Sequence, residues 1–296
     1  MDMFGFKALW SPYFMIFIAV MGLFFFLVTT VFRPYISQES EKLSFKQAIL
    51  FVLVLMLLYI LLGSPIDLLG HIMFSVHMTV MAVLYLVIPP LFIISIPNWL
   101  WRKLFSYQFV KKCFRFLTMP LIALILFNGL FSFYHIPIIF DAVKTNMMGH
   151  AVYTIILFGA AICMWWPLVN RLEEEQDFSG LKRLGYVFAN GVLLTPACAL
   201  IIFANHPIYE TYSNPVIWAQ AMELCVPAST LSTLNLTGPE MFHTMPLLDD
   251  QKTGGIIMKI IQEIVYGVVL ANIFYAWYNR ENKESIDMNP KTHELL

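Results

Sequence analysis

The stretch His71–Pro90, HIMFSVHMTVMAVLYLVIPP, carries the reading of the whole chain. It is almost wholly apolar and, as a helix, long enough to cross a bilayer. Its first eleven residues nevertheless hold two histidines and three methionines, Met73, Met78 and Met81. At 100° per residue His77 and Met81 stand one turn apart on one helix face. An imidazole and a thioether so placed suit a soft metal ion. Methionines also fill gaps in helical cores, and a histidine near a membrane surface also serves as a hydrogen-bonding group. The stretch alone leaves both readings open.

Working outward, the 296 residues are 59% apolar and 12% charged. So little charge excludes an ordinary soluble domain and predicts an all-α, polytopic membrane protein. Seven apolar runs follow one another, at about 11–32, 47–64, 70–94, 117–138, 150–169, 183–205 and 256–277. The first lacks the basic n-region and small-residue cleavage site of a signal peptide and counts as a span. Pro89 and Pro90 predict a kink or break in the lower half of the third. A mixed segment at about 206–255 contains an apolar patch, Val216 to Val226, that predicts a surface or re-entrant helix. Residues 1–279 thus form a single seven-helix membrane domain, and 280–296 a polar tail.

All 18 Lys and Arg residues except Lys7, Lys144, Lys252 and Lys259 fall in loops 1–2, 3–4 and 5–6 or in the tail. The positive-inside rule therefore predicts an outer N-terminus and a cytoplasmic C-terminus in a cell membrane. The basic patch at 101–115, set among Trp99, Trp101 and Tyr107, reads as a loop lying on the bilayer. It is too short, and too closely hemmed by spans, for a nucleic-acid partner. Trp165, Trp166 and Pro167 read as an interfacial aromatic belt and helix stop. The four cysteines form no CxxC and no framework, which argues against a disulfide scaffold or a thiolate zinc cluster. No phosphate-binding glycine loop or serine-hydrolase elbow occurs, and the chain does not read as an enzyme.

This topology puts six of the seven histidines in the outer half: His71, His77, His135, His150, His206 and His243, with His293 in the tail. Scattered core histidines would have no reason to choose a side. Met73, Met78, Met81, Met147, Met148, Met241 and Met245 join them, and Glu223, Cys225 and Asp249 are further donors. Imidazole and thioether together suit copper, Cu(I) above all. Haem held between paired histidines and a metal-free role in proton or partner binding are the alternatives.

FSVHMTVM (74–81) with VIPPLF, YHIPIIFDAV (134–143) leading to MMGH (147–150), CMWWP (163–167) and DQKTGGIIM (250–258) resemble, in order and separation, the CtaG family of bacterial cytochrome c oxidase assembly factors of the Bacillus type. The resemblance covers nearly the whole chain. It implies a seven-span protein needed for active haem-copper oxidase with a fused cytochrome c subunit, with oxidase subunits as partners and copper handled at the outer face. By position it implies His77, His135 and His150 as the family's histidines. Many relatives read HMxxHM in the third span, where this chain has Met81 in place of the second histidine; that keeps a donor for Cu(I) and weakens a Cu(II) or haem site. The expected metal set is His71, His77, Met78, Met81, His135, Met147 and His150. Asp141, Asp250 and Gln251 are expected either to cap helices or to orient a ligating imidazole. Small residues Gly159, Ala160 and Ala161 offer a surface for a homodimer.

Overall fold

The computed structural model of the chain describes residues 4–37, 40–172, 174, 178, 180–231, 238–242 and 244–287; the side chains of 8, 228, 229 and 280–287 are left aside. His243, His293 and the tail from 288 onward lie outside the described residues. In chain order the helices that build the site and its frame are α1 (Pro12–Val31), α2 (Phe45–Gly63), α3 (Pro65–Ile72), α4 (Phe74–Ser95), α5 (Gln108–Leu117), α6 (Pro120–Tyr134), α7 (Pro137–Lys144), α8 (Met147–Val169), α9 (Gly180–Ile202), α10 (Pro215–Met222) and α11 (Leu247–Asp287). Six of them, α1, α2, α4, α8, α9 and the stretch of α11 to Asn279, are long and apolar enough to cross a membrane. The pair α5 and α6, bent by 71°, adds a seventh if it is one span. The chain is thus an all-α, multi-pass membrane protein.

Local sequence sets several of the helix starts. Ser44 and Gln47 form a capping box ahead of α2, and the Asn146 side chain accepts from Gly149 N–H at 2.7 Å to start α8. Each satisfies donors that a helix N-terminus would otherwise leave orphaned. α4 is the hub of the bundle: 61% of its apolar window is buried, against 17% for α1, which lies at the periphery.

The third apolar run is not one helix. The chain breaks at Met73, which is extended (φ −118, ψ 127), so α3 and α4 are separate helices and His71 and His77 sit on different ones. What holds the break is remote in sequence. Asp250 accepts from Phe74 N–H at 2.7 Å and Ser75 N–H at 3.4 Å, and from the Ser75 hydroxyl. The carboxylate therefore caps α4, not its own helix. Gly254 makes the approach possible, since a Cβ there would lie 2.8 Å from the Phe74 ring and 3.1 Å from Met78; one at Gly255 would lie 2.8 Å from Ile202. These glycines seat α11 between α4 and α9.

The expected kink at Pro89 is taken up by a π-helical turn over Val83–Val87, through which α4 continues to Ser95. Pro89 has no N–H for the Tyr85 carbonyl; Trp165 Nε1 donates to that oxygen at 3.1 Å instead. Trp165 and Trp166 are accordingly buried in the core and form no interfacial belt. Trp166 instead packs with Trp101, Phe105 and Phe114, its ring centroid 4.8, 5.7 and 4.9 Å from theirs.

α11 begins at Leu247, well before the expected 256. Pro246 just ahead of it and Asp249 and Asp250 in its first turn are helix-start signals to which hydropathy is blind. Ala160 and Ala161 are buried inside the protein, so they are not available as a dimer surface.

Candidate metal centre

α3 begins with Ser64, whose hydroxyl accepts from Ile66 N–H at 3.2 Å. It carries Asp67 in its first turn and His71 in its last. The break at Met73 then redirects the chain so that α4 brings His77 and Met81 alongside. Gly70 packs against the His77 backbone, and the Tyr212 hydroxyl donates to the Gly70 carbonyl. α7 ends in Lys144 and the first turn of α8 contributes His150. The result is one cavity of about 30 Å³ lined by Asp67, His71, His77, Met81, Lys144 and His150 among others. That volume takes a water or a single ion and has no room for a porphyrin.

The cavity is rich in nitrogen. The rings of His71 and His150 lie 5.7 Å apart. Lys144, only 2% exposed, donates through Nζ to His71 Nδ1 at 3.4 Å and lies 5.9 Å over the Tyr212 ring. His77 Nε2 is buried and has no hydrogen-bond partner. An imidazole nitrogen withdrawn from water and left unpaired carries a cost that a bound cation relieves. Burial pushes the Asp67 carboxyl up to about 6, against the pull of Lys144 and the Cys225 thiol. Burial likewise pushes Lys144 down to about 8, with Cys225 and Asp67 opposing. Imidazole and thioether donors as a class suit Cu(I), but among the described residues the group whose donor atoms all lie within 4.8 Å of one another is Asp67, His71 and Cys225, not the three cavity histidines. Lys144 is the discordant member, since its ammonium repels a metal cation.

The other expected site residues fall elsewhere. His135 does not line the cavity. Its Nδ1 donates to the Phe131 carbonyl at 2.7 Å, its ring packs on Phe131, Tyr134 and Phe140, and its Nε2 is buried without a partner. Phe140 separates it from His77, whose ring centroid is 5.3 Å from that of Phe140. Met78 is fully buried against Gly254 of α11, and Met147 is exposed.

Asp141 accepts from Glu210 N–H, Thr211 N–H and the Thr211 hydroxyl at 3.0, 3.0 and 2.8 Å, pinning the segment after α9 to α7. Gln251 accepts from Ile208 N–H at 2.8 Å and donates to the Ile201 carbonyl at 3.3 Å. Together with Asp250 on α4, these side chains fix the backbone around the cavity.

Neither Lys144 nor Asp67 belongs to the expected ligand set, yet both line the cavity. A signal for both was present. Asp67 and His71 are four apart, hence on one helix face, and Lys144 is one of very few cations predicted on its side of the membrane.

A family model described as cytochrome c oxidase caa3 assembly factor (Caa3_CtaG) matches residues 36–280. No curated protein matches the chain, and no solved structure does.

Proposed function

Because the chain belongs to the cytochrome c oxidase caa3 assembly factor family, we propose that it assists the maturation of a haem-copper oxidase by holding copper, as Cu(I), in the cavity of His71, His77, Met81 and His150. The observation that carries this reading is the cavity itself: His71, His77 and His150 and the thioether of Met81, from α3, α4 and α8, all line one space of about 30 Å³. His77 Nε2 there is buried and unpaired. Mixed nitrogen and thioether donors bind Cu(I) without the anionic thiolate cage that would make release slow, as a carrier that must give up its cargo requires.

In this reading the protein spans the membrane seven times, with α5 and α6 as one bent span, its N-terminus outside and its C-terminus in the cytoplasm. The cavity then opens toward the outer face, and the partners are oxidase subunits. The chain acts as a carrier and catalyses no reaction of its own.

Lys144 favours a second reading, a scaffold that organises oxidase subunits without metal. A buried ammonium donating to His71 already satisfies the imidazole that copper would need.

The test is oxidase maturation in cells carrying His77→Ala or His150→Ala protein that still reaches the membrane. The carrier reading expects both to lose active oxidase and the exposed Met147→Ala to keep it. Normal oxidase in both histidine variants favours the scaffold.

A further inference from the structure

We propose that Asp67, His71 and Cys225 form a second site, for a thiophilic cation, beside the cavity and sharing His71 with it. One donor atom from each of the three lies within 4.8 Å of the other two. Three ligands held about 2.0 to 2.3 Å from a single ion, in trigonal or tetrahedral array, lie about 3.3 to 4.0 Å apart. Side-chain rotations that bring the donors together by about an ångström therefore close the triad on an ion.

Two ligands come from one rigid turn, since Asp67 and His71 are four apart on α3. The third is brought by the segment after α10. Cys225 N–H donates to the Met222 carbonyl at 3.1 Å. Trp218, Met222 and Val226 pack with Leu68 and Ile72 of α3 in one apolar cluster, which seats Cys225 over α3. Its Sγ donates to Asp67 Oδ2 at 3.5 Å.

His71 is buried, while Asp67 and Cys225 are partly exposed. His71 lines the cavity as well as the triad and so belongs to both sites. The donor sets differ in kind. Thiolate, imidazole and carboxylate take Cu(I) or Zn²⁺, whereas the cavity's imidazoles and thioether favour Cu(I) alone. On binding, the sulfur–metal bond forms as the thiol proton leaves to solvent; Asp67 Oδ2, which that proton faces, relays it, and Asp67 ligates as the carboxylate once the proton has gone. No change of oxidation state is involved. That the shared His71 makes the triad the loading point of the cavity rests on the carrier reading; the triad as a site does not.

The experiment is anaerobic titration of the reduced, detergent-purified full chain with Co²⁺, read as the near-ultraviolet thiolate-to-cobalt band, beside Cu(I) retention after desalting. The band should form in the wild type and in His77→Ala, vanish in Cys225→Ala and Cys225→Ser, and weaken in Asp67→Asn. Two cysteine variants are used so that one with altered packing does not decide the matter, and each is matched to wild type by size-exclusion elution.

A band absent from the wild type, or unchanged in both cysteine variants because another thiol supplies it, overturns the triad. Cu(I) retention lost in His77→Ala but complete in Cys225→Ser and Asp67→Asn also overturns it and leaves the carrier reading standing. Retention that survives His77→Ala and fails in Cys225→Ser sustains the triad and overturns the cavity reading.

Discussion

The two ends of α8 are built from opposite materials. His150 sits in its first turn and Trp166 near its last, sixteen residues and about 24 Å further on. Around His150 the protein buries His71, His77, His135, Lys144, Asp250 and Gln251. Around Trp166 it buries rings, with Trp101, Phe105 and Phe114 packed edge-on or tilted about the indole.

The aromatic end is what burial alone favours, since edge-on rings combine large area with few polar groups, although Trp99 Nε1 and Asn170 Oδ1 are buried there without a partner. The histidine end spends stability, because it withdraws titratable groups from water and leaves two imidazole nitrogens unpaired. Unpaired buried polar atoms occur at both ends; what sets the histidine end apart is that its buried groups are titratable, a pattern that clusters at functional sites. In the carrier reading the histidine end is the working part and the aromatic end the frame.

The largest expected effect breaks the histidine end at its support. Asp250→Ala leaves Phe74 N–H and Ser75 N–H buried without their carboxylate, at a cost of about 3 kcal/mol or more. A thermal-unfolding series should show that loss together with loss of metal binding, since α4 carries both His77 and Met81.

Gly254→Val should cost about 2 kcal/mol by overpacking, because its Cβ alone would lie 2.8 Å from Phe74. Gly267→Val, where nothing lies within 4 Å, should be nearly neutral in the same assay.

Lys144→Met sharpens the comparison by removing the one repulsive charge from the cavity. Competition titration with a chromophoric chelator should show Cu(I) affinity raised about tenfold or more. The same variant tests a linkage. With Lys144 at about 8 in the folded protein and its ordinary value at 10.5, the unfolded chain binds the extra proton between those limits. Wild-type stability should therefore rise with pH across that window, and the burial penalty should be full below it. In Lys144→Met the rise should disappear.

The smallest effect belongs to the frame. Trp165→Phe removes the donor to the Tyr85 carbonyl and should cost about 1 kcal/mol of stability, with copper binding unchanged.

Much of the frame was legible from hydropathy alone, because a membrane span is a long apolar run and little else has that form. The pairing of His77 with Met81 followed from helical period, and both line the cavity. What the sequence withheld depends on contacts between distant residues. No glycine or proline stands at Met73, and the break there is held by Asp250, 176 positions away. Trp165 and Trp166 have the composition of a belt, yet Pro89 leaves a carbonyl for one to satisfy and the α5 region closes on the other. Lys144 looked like an ordinary loop cation until α7 turned it inward. Cys225 counted as one more donor until α10 seated it over Asp67.

The central claim is that the histidine end holds copper, and the measurement that tests it most directly is copper retained by the detergent-purified protein. It would be loaded with Cu(I) under reducing conditions, desalted and quantified by mass spectrometry beside His77→Ala and His150→Ala. The account predicts stoichiometric copper in the wild type and its loss in both variants, with folding intact. No retained copper in the wild type, or equal retention in all three proteins, would contradict it.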